Sequence, residues 1–90
     1  MGSKKALRFL QRAKTSPSGW NRSELDKLYR MYGFIIVSRT KHDIVKHPDL
    51  PITEKGTLTR SSKELHPAYV RRAVELIEML LVITTGEKDG

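Results

Sequence analysis

Apolar residues recur at helical spacing in three stretches of the chain and in extended, β-branched runs between the second and third. Ala6, Leu7, Leu10 and Ala13 share one stripe, widened by Phe9, which predicts a basic amphipathic helix over residues 4–14. Thr15-Ser16-Pro17-Ser18-Gly19 breaks the pattern and reads as a linker. Leu25, Leu28, Tyr29 and Tyr32 then recur at i, i+3, i+4 and i+7. Asn21 and Glu24 are spaced as a capping box for this second helix, and Gly33 is placed to end it in the left-handed conformation.

Residues 34–39, 42–47 and 56–60 predict three strands, with Thr40 and Lys41 at a tight hairpin turn between the first two. Pro48 and Pro51 bracket a loop, and residues 61–66 form a polar connector. Pro67 suits the first turn of a last helix, in which Val70, Val74, Ile77 and Leu81 recur at i, i+4, i+7 and i+11, with Ala73 and Leu80 beside them. The expected class is α+β: helices on one face of a three-stranded antiparallel sheet, the other face wet. The chain divides into a basic helix and linker at 1–20, a domain at 21–83 and a frayed tail at 84–90.

Composition narrows the chemistry. A chain of 90 residues holds one domain and no cleft between lobes, and 0 Cys excludes disulfide scaffolds, cysteine zinc sites, iron–sulfur clusters and thiol nucleophiles. The formal charge is +7, and it is lopsided. Residues 1–46 carry 11 bases against 3 acids, and the remainder 6 against 7. Such asymmetry points to a polyanionic partner: nucleic acid, an anionic membrane surface or an acidic protein. With no apolar run near the roughly 20 residues a bilayer requires, the expectation is a cytoplasmic protein.

No glycine-rich phosphate loop, zinc-type histidine spacing or nucleophile elbow is present, so no cofactor or metal is expected. The distinctive segment is the hairpin from Ser38 to Pro48, where Arg39, Lys41 and Lys46 accompany His42 and His47. RNA cleavage by transesterification needs a base for the 2′-hydroxyl and cations for the phosphorane, tasks suited to imidazole and to Lys or Arg. Asp43 alternates away from His42 and is left out of the site. Ile44 and Val45 lie on opposite faces of the same strand, so alternation does not say which face His42 takes.

About two-thirds of the chain resembles the HicA family of small mRNA interferase toxins of bacterial and archaeal toxin–antitoxin pairs. The resemblance runs through Tyr32-Gly33-Phe34, Ile35-Ile36-Val37, Thr40-Lys41-His42, Lys46-His47-Pro48, Leu58-Thr59 and Ser62-Lys63-Glu64-Leu65-His66-Pro67. It implies a fold like that of double-stranded-RNA-binding domains and His42 as the catalytic residue. It further implies metal-independent RNA cleavage and an acidic HicB-type antitoxin that covers the site. Arg39, Lys41, Lys46 and His47 are the expected RNA contacts. Two features depart from the family: Thr40-Lys41 replaces Gly-Ser, and a helix precedes Trp20. A non-catalytic RNA-binding domain of the same fold, and a domain docking on an acidic protein, stand as alternatives.

Overall fold

The computed structural model describes residues 4–59 and 63–85; expectations placed on residues 1–3, 60–62 and 86–90 lie outside the described residues. The elements are α1 (Lys4–Thr15), α2 (Arg22–Met31), β1 (Ile35–Ser38), β2 (His42–Lys46), β3 (Gly56–Thr59) and α3 (Pro67–Thr85). This is an α+β fold of three helices and a three-stranded antiparallel sheet in the order β1-β2-β3.

Local chemistry sets the boundaries of α2. The Asn21 side chain accepts the Glu24 amide at 2.9 Å and Glu24 accepts the Asn21 amide at 3.1 Å, satisfying two N-terminal donors reciprocally. At the other end Gly33 takes φ +81°. Its amide donates to the Arg30 carbonyl and that of Phe34 to the Tyr29 carbonyl, while the Phe34 ring packs 5.2 Å from Tyr29. This Schellman ending delivers the chain directly into β1.

The sheet has a dry face and an open one. Val45 and Leu58 are fully buried beneath the helices, with Gly56 beside Val45 in register. The Tyr29 hydroxyl lies where a side chain on Gly56 would begin, so only glycine fits beneath α2. Ile35, Val37, His42, Ile44, Lys46, Thr57 and Thr59 alternate onto the opposite face, which no described helix covers.

The core is wider than periodicity alone indicates. On α3 the buried stripe is Val70, Ala73, Leu76, Ile77 and Leu80, so Leu76 occupies the centre and Val74 and Leu81 fall to its half-buried margins. On α1 the buried residues are Ala6, Leu10 and Ala13, whereas Leu7 is 56% exposed. Leu50 and Leu65 are buried from the proline-bracketed loop and from the polar connector.

Trp20, placed in the linker by sequence, is 0% exposed. Its indole N–H donates to the Ser16 carbonyl at 2.8 Å, its ring lies 5.1 Å from Phe9, and its carbonyl accepts the Leu65 amide at 2.7 Å. The segment read as a boundary therefore closes over an indole, and α1 shares the core of α2 and α3. Burying a tryptophan removes some 200 Å² from water, a strong incentive for this closure.

Candidate nucleic-acid interface

His42 opens β2 on the uncovered face, opposite Thr59 of β3, and its side chain is exposed. The face left open by alternation is thereby fixed. Arg39, Thr40 and Lys41 join β1 to β2, and all three are exposed. Lys46 stands at the other end of β2 on the same face as His42. Four residues of extended chain set their backbones about 13 Å apart. Lys41 is the chain neighbour of His42, and Lys46 lies a strand's length from it.

His47 does not join this group. Beyond the end of β2 its ring turns toward the helical layer and meets the edge of Phe34 at 4.9 Å and 72°. Its Nδ1 accepts the Asp49 amide at 3.0 Å, and its Nε2 lies against Gly33. A cleft of about 360 Å³ passes His47 between the C-terminal ends of α2 and α3, lined also by Tyr32, Asp49, Leu80 and Thr84. The contacts give His47 a turn-stabilising role at the strand end. Arg39, Lys41 and His42 follow one another from the turn into β2, Lys46 stands at the far end of the same face, and His47 sits apart.

Beneath His42 lies an ion pair that sequence reasoning did not reach. Asp43, on the dry face and 3% exposed, pairs with Arg22 of α2 at 2.5 Å. Arg22 also donates to the Thr59 carbonyl at 3.3 Å. One guanidinium therefore holds both the chain neighbour of His42 and its cross-strand partner. These contacts tie α2 to both strands of the β2–β3 pair on the face opposite the imidazole. The sequence signal was slight: an arginine just after a helix cap, 21 positions before its carboxylate.

No family model, curated protein or solved structure matches the chain. The site stands on its geometry and on the resemblance of its motifs.

Other bases are bound into the frame. Arg72 of α3 donates to Glu54 and Glu75, each at 3.0 Å, and to the Lys55 carbonyl, fastening the loop before β3; these carboxylates raise its pKa against the opposing effect of burial. Lys41 and Lys46 have no acidic partner among the described residues. Among those residues no three His, Cys, Asp or Glu side chains gather as a metal site, and no helix is long and apolar enough to cross a membrane.

Proposed function

We propose that the protein is a HicA-like endoribonuclease toxin of the cytoplasm in which His42 assists metal-independent cleavage of mRNA. The observation that carries this reading is the position of His42: exposed on the open sheet face, at the mouth of a cationic hairpin, with Lys46 farther along the same face. The chain order from α2 to α3, one helix, three strands and one helix, is the order the resemblance implies.

In this reading the imidazole of His42 takes the proton of a 2′-hydroxyl, and that oxygen attacks the adjacent phosphorus. The 5′-oxygen leaves, taking a proton from water, and a 2′,3′-cyclic phosphate remains. Arg39 and Lys41 counter the charge that builds on the phosphorane, and Lys46 anchors the strand one phosphate or more away. Arg22, through Asp43 and Thr59, keeps the histidine from shifting register. An acidic HicB-type antitoxin suits the same cationic face and would shut the reaction off by covering it.

A non-catalytic RNA-binding domain of the same fold is the second reading. It is favoured by the His42 ring, which has no hydrogen-bond partner among the described residues to orient it, and by Thr40-Lys41 where the family carries Gly-Ser. The deciding experiment incubates wild type and His42→Ala with labelled single-stranded RNA in excess chelator. Fragments from wild type, reduced at least about 100-fold in the variant, with an unchanged melting temperature, support the nuclease. Intact RNA in both lanes, with retained binding, supports the second reading and removes the first.

A further inference from the structure

Charge on α1 has no internal compensation. The helix holds five bases, Lys4, Lys5, Arg8, Arg12 and Lys14, and no acid. In contrast, α2 sets Glu24 and Asp26 among its three bases, and α3 sets Glu75 and Glu78 against Arg71 and Arg72. Lys4 with Arg8, and Arg8 with Arg12, are like charges at i,i+4, a spacing that destabilises a helix. Two of the five bases are engaged within the protein. Arg12 bonds Glu24 at 3.0 Å and stacks 4.5 Å over Trp20, and Lys14 bonds Glu78 at 2.7 Å. Lys4, Lys5 and Arg8 are exposed and have no acidic partner among the described residues.

We infer that the outer face of α1, through Lys4, Lys5 and Arg8, is a second binding surface for the RNA backbone, separate from the His42 face. This deepens the RNA reading and rests on it. A phosphate backbone supplies the counter-charge that the helix lacks and asks for no apolar contact. An anionic membrane fits less well: Ala6, Leu10 and Ala13 are buried in the protein core, leaving Leu7 alone on this helix as an exposed large apolar side chain. A protein partner fits less well again, since the cores of protein interfaces are depleted in lysine and built around aromatic anchors. Because α1 packs on α2 and α3 while His42 faces away from the helical layer, this surface adds affinity without touching the scissile phosphate.

The test compares wild type with a K4Q/K5Q/R8Q variant for binding to a labelled 2′-O-methyl oligouridylate, which cannot be cut through its 2′-oxygen. At low salt the variant is expected to bind at least tenfold more weakly, and its salt slope to fall by about two, from three lost contacts at about 0.7 each. A K4R/K5R variant should bind as wild type does. Equal affinity and slope for wild type and the glutamine variant would overturn the inference. So would wild type that partitions onto phosphatidylserine vesicles without competition from RNA. If binding falls as expected while wild type fails to cut ordinary RNA, the α1 surface stands and the nuclease reading falls. If cleavage depends on His42 and binding is unchanged, the reverse holds.

Discussion

The two faces of β2 are built for opposite purposes. Asp43 and Val45 turn inward, where one is clamped by Arg22 and the other is 0% exposed beneath the helices. His42, Ile44 and Lys46 turn outward, to a face that no described helix covers and that carries an imidazole at one end and an ammonium at the other. Alternation delivers both sets from five residues. Burial is concentrated on one side, and the proposed chemistry lies on the other. Substitution on the outer face should alter activity at constant stability, and substitution on the inner face should do the converse.

The largest separation is expected between neighbours. Whereas His42→Ala is expected to remove cleavage and leave melting unchanged, Asp43→Ala should cost about 3 kcal/mol in denaturant unfolding, because it removes the nearer, buried carboxylate from the Arg22 guanidinium and leaves only Asp26 at 3.9 Å. That figure is at the lower end for a broken pair, since the Arg22 side chain keeps 27% of its exposure and is partly solvated. Equal stability of Asp43→Ala and wild type would mean that the pair does not hold the register beneath His42.

A smaller effect sharpens the view of the inner side. The Tyr29 hydroxyl is buried above Gly56 with no hydrogen-bond partner among the described residues. Burial pushes its phenol well above the ordinary value of 10.0, against a weaker opposing pull from Arg72. A folded-state pKa raised above the unfolded one contributes stability that is complete below about pH 10 and is lost as pH rises beyond it. Tyr29→Phe should therefore flatten the alkaline limb of the stability curve. Near neutrality it should stabilise by about 1 kcal/mol, because an unsatisfied buried hydroxyl is removed. Unchanged alkaline unfolding in the variant would show that Tyr29 is not the group that titrates.

These contrasts also show what could be read from residues alone. The caps of α2 were legible because Asn21, Glu24 and Gly33 act over three or four positions, where the chemistry is local. Strand positions and the hairpin followed from β-branched runs for the same reason. Trp20, Leu50 and Leu65 were not legible as core, because each lies in a segment rich in Pro, Ser or charge, and only packing shows that such a segment folds inward. The Arg22–Asp43 pair was hidden by sequence separation. His42 could be named but not placed, since Ile44 and Val45 weigh equally until the helices choose a face.

The smallest expected effect returns to the outer face. Lys46 stands about 13 Å along the strand from His42 and, in the proposed reaction, holds a phosphate other than the one being cut. Lys46→Gln should then raise KM about threefold while kcat stays constant, the pattern of an interaction equal in ground and transition states. Its salt slope should fall by about 0.7, one contact on a single strand. A matching change at Lys41, beside the imidazole, should instead lower kcat. If Lys46→Gln lowers kcat and leaves KM alone, the scissile phosphate lies nearer the far end of β2, and the reacting centre would have to be moved away from the hairpin turn.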